Sequence, residues 1–279
     1  MKKAADEWSY NHAIATLALG ELLLGSGDTE RLAGPVKEAV EYCLRSQNPG
    51  LGWHYGYQPG ISDTSSTVWM AMAVLTGQAC AEAGLIDLEE ELVEKSLASA
   101  EGWILRVTSS SSGVVGYQSP GDPGAQLQDF YGKEFPFDKK RIHANTAAAH
   151  SYAMLRGRRG KPPTDLWEEL LAKNPPEWTP VRGKTQSPIS QYYWYYASLA
   201  MFQVGGKPWK AFNKEMKSAL RGSQRTRGCE KGSWDPIGEW GAVGGRAYST
   251  AIGALTLETY YRYRREPEQA EEKASDDGK

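Results

Sequence analysis

The sequence predicts an all-α fold, an α/α toroid in which inner and outer helices alternate around a central cavity, with long aromatic loops at one end. Three observations predict it. Segments that are apolar on every face alternate with amphipathic segments, no run of alternating β-branched residues indicates a strand, and long loops follow only the amphipathic segments.

Five segments carry apolar or aromatic residues on nearly every face, which is typical of helices enclosed by other helices. These predicted inner helices cover residues 13–24, 68–75, 144–155, 192–204 and 248–263. Between them lie four predicted outer helices with one apolar face each, at residues 36–44, 92–104, 166–171 and 209–220. Pro35 and Pro208 are placed at helix starts, where the missing N–H does no harm.

The connections are asymmetric. Inner-to-outer links are short, whereas the outer-to-inner links are long and rich in Gly, Pro, Trp and Tyr, at residues 46–62, 107–142, 173–187 and 222–245. Because each long loop precedes an inner helix, all of them should gather at one end, the mouth. The helix starts there carry partial positive charge, which favours an anionic or hydrogen-bond-accepting ligand group unless Asp, Ser and Asn side chains cap them.

Composition limits the class of protein. The 279 residues carry a net charge of −2, so no basic face for nucleic acid is expected, and three widely spaced cysteines suggest neither a disulfide framework nor a zinc cluster. No signal peptide is visible, and the longest apolar stretch is too short to cross a membrane. We expect a soluble, cytoplasmic protein with a single domain over residues 1–265 and an acidic, disordered tail over residues 266–279.

Two of the long loops share a pattern. One runs from Gln47 to Trp53 and the other from Gln224 to Trp234, with a weaker copy at residues 113–118. A Gln followed by Gly-x-Trp or Gly-Ser-Trp at the end of an outer helix resembles the QW repeat of squalene and oxidosqualene cyclases, whose toroid protein prenyltransferases share.

More narrowly, the chain resembles the bacterial, planctomycete-type prenyltransferase/squalene-oxidase-repeat proteins of the terpenoid cyclase superfamily. The resemblance rests on Tyr10-Asn-His-Ala-Ile-Ala-Thr16, Asp63-Thr-Ser, Tyr192-Tyr-Trp-Tyr-Tyr196, Gly232-Ser-Trp-Asp-Pro236 and Gly244-Gly-Arg-Ala-Tyr248. It covers roughly residues 8 to 264 and implies the toroid more specifically than any activity.

The catalytic motifs of these families are not intact. Class II cyclases protonate their substrate with the middle Asp of a DxDD motif, but alignment on Asp63 places Gly60 and Ser62 at the first two Asp positions. Prenyltransferases hold zinc with Asp, Cys and His, the His beside a Tyr, whereas here Ser249 follows Tyr248. We therefore expect no metal and no cofactor, and the sequence leaves open whether the chain catalyses a reaction.

The candidate residues lie around the predicted mouth and on the inner helices. Asp63 and Asp235 are the candidate acids, and the candidate ligand-binding residues are His12, Trp53, Tyr55, Asp63, Tyr193, Tyr196, Trp234, Asp235, Arg246 and Tyr248. Each has a plain structural alternative: helix capping for Asp63, loop anchoring for the tryptophans, core packing for the tyrosines, a buried hydrogen-bonded side chain for each histidine, and an ion pair of Arg246 with Asp63 or Asp235.

Three functions follow from these residues. The first is binding of an apolar or amphiphilic, isoprenoid-type small molecule in the central cavity. The alternative is a noncatalytic module that holds a peptide segment against the aromatic mouth. Ranked below both is a carbohydrate-active toroid, which would need paired carboxylates such as Asp63 with Asp235 or Glu239.

Overall fold

The fold is given by a computed structural model that describes residues 8–122, 138–158, 160–161, 163–179, 189–238 and 240–262, without the side chains of residues 138–143 and 242. The described residues form helices and loops with no β-strand, and one isolated bridge pairs Thr108 with Val115. The all-α prediction is confirmed. The predicted tail at residues 266–279 lies outside the described residues.

The chain divides into two compact units, Met1–Ala125 and Gln126–Lys279. The first unit contains α1 (Ser9–Ser26), α2 (Thr29–Ser46), α3 (Thr64–Glu82) and α4 (Glu90–Arg106). The second contains α5 (Asp138–Leu155), α6 (Thr164–Ala172), α7 (Gln191–Val204), α8 (Gly206–Ser223), α9 (Gly241–Leu257) and the short α10 (Thr259–Arg262). The single domain over 1–265 and the closed toroid both stay predictions.

In the first unit α3 is the central helix. It packs against α1, α2 and α4, and residues 62–74 are buried without interruption. The outer helix α2 buries one face, formed by Val36, Val40, Cys43 and Leu44, as its amphipathic pattern predicts. Helix α3 is thus enclosed because its sequence is apolar or small on every side.

Helix α1 is less enclosed than its apolar sequence suggests. It packs against α2 and α3 through Ala13, Leu17 and Leu23, whereas Ile14 and Leu22 on another face remain 44% and 53% exposed. Apolar content alone does not tell how many neighbours a helix has, which is why the sequence assigned this helix to the fully buried kind.

The start of α2 corrects the role predicted for Pro35. The helix begins at Thr29, capped by Asp28, whose side chain accepts from the backbone N–H of Arg31, and Pro35 lies inside the helix. The capping carboxylate satisfies the first turn, so the helix starts ahead of the proline. Pro208, by contrast, lies in the first turn of α8, as predicted.

In the second unit α7 is the central helix. It packs against α5, α8 and α9, and all of its residues except Tyr192 are buried. Helix α6 covers α5 and α7. Helix α9 begins at Gly241, earlier than the predicted 248–263, and it kinks at Gly245, whose φ of 69° suits a glycine.

The two QW-like loops fold alike around their glutamine and tryptophan. Gln47 ends α2 and Gln224 ends α8, both with φ −66° and ψ 135°. The indole Nε1 of Trp53 donates to the Cys43 carbonyl at 2.8 Å. This hydrogen bond ties the tryptophan to the last turn of the preceding outer helix.

The second QW-like loop repeats each contact. Trp234 Nε1 donates to the Leu220 carbonyl at 2.8 Å. The backbone N–H of Trp234 donates to Thr250 Oγ1 at 3.3 Å, as that of Trp53 does to Thr67 Oγ1 at 3.0 Å. Each tryptophan therefore joins the end of an outer helix to the next inner helix.

Candidate functional site

Two long loops of the first unit meet at the start of α3. The backbone N–H of Asp63 donates to the Trp53 carbonyl at 2.9 Å, and the N–H of Thr64 donates to the Tyr117 carbonyl at 2.9 Å. The Thr64 hydroxyl also donates to the Gly116 carbonyl at 2.6 Å. The first helical turn of α3 is therefore the point at which residues from both loops come together.

Asp63 caps α3 with one carboxylate oxygen only. Its Oδ1 accepts from the Ser66 backbone N–H and from the Ser65 hydroxyl, both at 2.8 Å. Its Oδ2 is buried and has no hydrogen-bond partner among the described residues, and His54 Nε2 lies 3.8 Å from it. The side chain as a whole has no exposed surface. Half of this carboxylate is therefore left without the hydrogen bonds that a buried oxygen needs.

His54 is a partly exposed neighbour of buried Asp63. Its side chain is 16% exposed, and the Gln118 side-chain amide lies 3.4 Å from Nε2. The imidazole also packs edge-on against the Tyr55 ring, with the ring centroids 4.4 Å apart. His54 is therefore held next to the Asp63 carboxylate by contacts with Gln118 and Tyr55.

Tyrosine hydroxyls complete the surroundings of Asp63. Tyr10 shares a hydrogen bond with Ser65 Oγ, and Tyr55 shares one with Tyr117. The Tyr10 and Tyr55 rings stack with their centroids 5.7 Å apart and their planes at 30°. We call Tyr10, His54, Tyr55, Asp63, Ser65 and Tyr117 the Asp63 cluster.

Burial controls the titration of this cluster. It raises the pKa of the Asp63 carboxyl, while the hydrogen bonds from Ser66 and Ser65 and the charge of His54 oppose the rise. Burial also raises the pKa of Tyr117, and the negative charge of Asp63 and the neighbouring Tyr55 raise it further. The Tyr117 phenol therefore stays protonated.

The arrangement is not a nucleophilic triad. Ser65 donates its hydroxyl proton to Asp63 Oδ1, whereas an activated serine would donate to a histidine that Asp63 orients. What the cluster offers chemically is a buried carboxylate oxygen with an unused lone pair, aromatic faces and phenol hydroxyls.

Asp235 and Arg246 lie in a network of ion pairs in the second unit. Arg246 Nη2 lies 2.9 Å from Asp235 Oδ1 and 3.0 Å from Glu230 Oε1, and Arg225 Nε lies 3.0 Å from Asp235 Oδ1. Arg246 Nη1 also donates to Ser233 Oγ at 3.0 Å. Arg246 thus makes the pair with Asp235 that the sequence left as an alternative, and the two acids balance the two arginines.

The other residues predicted to bind a ligand make hydrogen bonds or packing contacts within the protein. Trp53 and Trp234 are buried and bonded as described above, and His12 Nε2 lies 2.9 Å from the Ala39 carbonyl, which links α1 to α2. Buried Tyr193 donates to the Asn174 carbonyl at 2.6 Å. The ring of Tyr196, also buried, packs against Tyr192 and Tyr195, and Tyr248 packs against Gly244. Whether these residues bind a ligand stays a prediction.

The structure brings Asp63 and Tyr55 together, and it adds residues that the sequence did not propose as ligand-binding. His54, Ser65 and Tyr117 are the main additions. The signal for His54 is its place directly between Trp53 and Tyr55, in a loop already singled out. Glu239 and the side chain of His143 lie outside the described residues.

Two further observations concern metal binding and membrane spanning in the described part of the chain. Among the described residues, no group of three or more His, Cys, Asp or Glu side chains could hold a metal ion. No helix in the described part of the chain has both the length and the apolar character to cross a membrane.

No protein-family model matches the chain, and a search of curated proteins finds none that matches its sequence. The resemblance to cyclases and prenyltransferases therefore rests on the sequence motifs quoted above.

Proposed function

We propose that the first unit binds an apolar or amphiphilic small molecule of the isoprenoid type at the Asp63 cluster. The polar end of the ligand donates a hydrogen bond to Asp63 Oδ2, and its apolar part lies against the rings of Tyr10 and Tyr55. The observation that carries this proposal is the buried Oδ2 atom, which has no hydrogen-bond partner among the described residues.

The free energy of that buried oxygen supports the proposal. A buried acceptor without a partner costs about 1–3 kcal/mol, more if it is charged. A ligand that donates to Oδ2 recovers this free energy on binding, and because the atom is shielded from water the interaction is strong. We therefore expect the cluster to bind a ligand that has a hydrogen-bond donor more tightly than a ligand that lacks one.

The aromatic side chains support the apolar part of the ligand. The Tyr10 and Tyr55 rings stack on each other, and their hydroxyl groups are engaged with Ser65 and Tyr117, so the pair forms an aromatic, largely apolar wall of the cluster. The resemblance of the QW-like loops to those of squalene cyclases points to the same class of ligand.

A peptide-binding module is the second candidate. It is favoured by Tyr57 and Ile61, which are 53% and 54% exposed in the loop that leads to Asp63. Exposed apolar side chains beside a site are typical of surfaces that contact other proteins. The same experiment separates the two functions, because only the first requires a small molecule to remain bound.

Native mass spectrometry after incubation with a bacterial lipid extract tests the proposal. We expect the wild-type chain to retain a small molecule and the Asp63→Asn variant to retain about tenfold less, because the amide replaces an acceptor by a donor. Asp28→Asn is the matched control, since Asp28 also caps a helix but belongs to the turn between α1 and α2. A wild-type chain that retains nothing contradicts the proposal.

A further inference from the structure

The Asp63 cluster contains a buried carboxylate without a permanent cation. In the described part of the chain, the pKa of Asp63 responds to burial, to hydrogen bonds from Ser65 and Ser66 and to the charge of His54, with no contribution from Lys or Arg. His54 Nε2 is 3.8 Å from Oδ2, beyond hydrogen-bond distance, and it lies 3.4 Å from the side-chain amide of Gln118. Oδ2 therefore accepts no hydrogen bond from the described residues, and His54 is the one member of the cluster that can carry an opposite charge.

We infer that the polar end of the bound molecule is a protonated amine that donates to Asp63 Oδ2. The inference rests on the proposed function and narrows it to one class of ligand, an alkyl or isoprenoid chain that ends in an ammonium group.

An ammonium group fits the site better than a hydroxyl group. A hydrogen bond between two charged groups is roughly twice as strong as one between neutral groups, and it forms here in a buried environment. The faces of Tyr10 and Tyr55 carry negative charge density that attracts a cation. A positively charged ligand also favours the ionised form of Asp63, which burial disfavours.

An anionic group does not fit the start of α3. The sequence favoured an anion or an acceptor at the inner helix starts, but here Asp63 itself caps the helix, with Oδ1 on the Ser66 N–H. A ligand carboxylate or diphosphate would bring a second negative charge next to Oδ2, and the two would repel each other.

Because Oδ2 is fully buried, a neighbouring side chain has to move before the amine can reach it. His54 is a partly exposed side chain 3.8 Å from this atom, and its polar contact with Gln118 is long, at 3.4 Å. We expect the imidazole to turn away when the amine binds, while Ser65 and Ser66 keep the carboxylate in place through Oδ1.

The test compares geranylamine with geraniol, which have the same apolar chain and differ in the charged group. Isothermal titration calorimetry at neutral pH measures both with the wild-type chain and with the Asp63→Asn and Asp28→Asn variants. We expect the wild type and Asp28→Asn to bind the amine at least about tenfold more tightly than the alcohol. In Asp63→Asn this preference disappears.

The outcomes separate the inference from the proposed function. Equal affinities in the wild type, or a preference for geraniol, overturn the inference and leave the proposed function standing. A preference for the amine that persists in Asp63→Asn also overturns the inference, because the charge is then recognised elsewhere. If neither compound binds, the proposed function fails and the inference fails with it. Should Asp63→Asn not fold, the wild-type comparison alone decides.

Discussion

Asp63 has two roles at the start of α3. One oxygen caps the helix by accepting from Ser66 and Ser65, and the other is held buried next to His54. The sequence offered helix capping as the alternative role of Asp63, because an Asp before a run of small hydroxyl residues is a strong local signal for a cap. It could not predict the unused oxygen, since His54 and Tyr117 reach the site from two loops whose folding depends on tertiary contacts.

The stability of the protein depends on the protonation of Asp63. Burial raises the pKa of this carboxyl in the folded state above its value of about 3.9 in the unfolded chain. The folded state therefore holds its proton more tightly, and the associated stability is present below about pH 3.9 and is lost as the pH rises through the folded-state pKa.

Asp63→Asn, which keeps a good capping residue, removes this dependence. We expect the difference in free energy of unfolding, wild type minus variant, to fall as the pH rises from about 3.9 toward neutrality. Denaturant unfolding of both chains across this range measures it. A difference that stays constant with pH contradicts the account of Asp63.

His150 gives the opposite pH dependence in the second unit. It is buried, neither ring nitrogen has a hydrogen-bond partner among the described residues, and burial lowers its pKa to about 3. The protein has its full stability with respect to His150 above about pH 6.5, the pKa of histidine in the unfolded chain. It loses this stability as the pH falls toward 3, because only the unfolded chain then binds the proton readily.

We expect His150→Phe, which keeps a ring against Trp167, to lose less stability in acid than the wild type. The difference between the two chains should change by up to about 1.4 kcal/mol per pH unit below pH 6.5. Urea unfolding at several pH values checks this, and parallel curves for the two chains would show that His150 is not buried in its neutral form.

At the scale of the elements, the QW-like loops are held by the same set of contacts. Gln47 and Gln224 end an outer helix, and the tryptophan that follows joins this helix to a threonine of the next inner helix. The repeat could be recognised from the sequence because Gln, Gly and Trp recur. The threonine partner could not, because it lies in the following helix, where many residue types would fit the apolar pattern.

The indole hydrogen bonds of the two tryptophans lead to a prediction about the stability of the fold. Trp53→Phe and Trp234→Phe each remove an indole N–H from a buried helix-end carbonyl, so we expect each to lower the free energy of unfolding by about 1–3 kcal/mol. Denaturant unfolding of the two variants measures the loss. Changes well below this range would mean that the indole hydrogen bonds do not anchor the loops.

Helix α3 approaches α2 closely at a glycine. A Cβ atom at Gly77 would overlap the side chain of Val40, whereas nothing lies within 4 Å of a Cβ at Gly102 in α4. We expect Gly77→Ala to destabilise the fold by about 1–3 kcal/mol through overpacking, and Gly102→Ala to stabilise it by about 0.5–1 kcal/mol through helix propensity. Thermal unfolding of both variants tests this, and the same sign of change in both would contradict the packing of α2 on α3.

At the scale of the whole molecule, the repeat gives the two units equivalent sequence positions, but the residues at one of these positions carry opposite charges. Asp63 and Arg246 each lie four residues before the threonine that accepts from the tryptophan N–H. In the first unit this place holds a carboxylate with an unused oxygen. In the second it holds a guanidinium that Asp235 and Glu230 neutralise. We therefore assign the proposed binding function to the first unit.

The sequence also predicted the all-α fold class, and the amphipathic pattern of α2 predicted its one buried face. It succeeded because apolar periodicity separates enclosed helices from surface helices such as α2. Closure into a toroid stays a prediction, because it depends on long-range packing that periodicity does not encode.

Hydrogen–deuterium exchange with mass spectrometry, with and without saturating geraniol, tests the central claim most directly, because it locates the bound molecule. We predict slower amide exchange at residues 53–66 and 113–118, the two loops around the Asp63 cluster, and no such protection in Asp63→Asn. Unchanged exchange in these loops, or protection confined to residues of the second unit, would contradict the claim that the first unit binds the ligand.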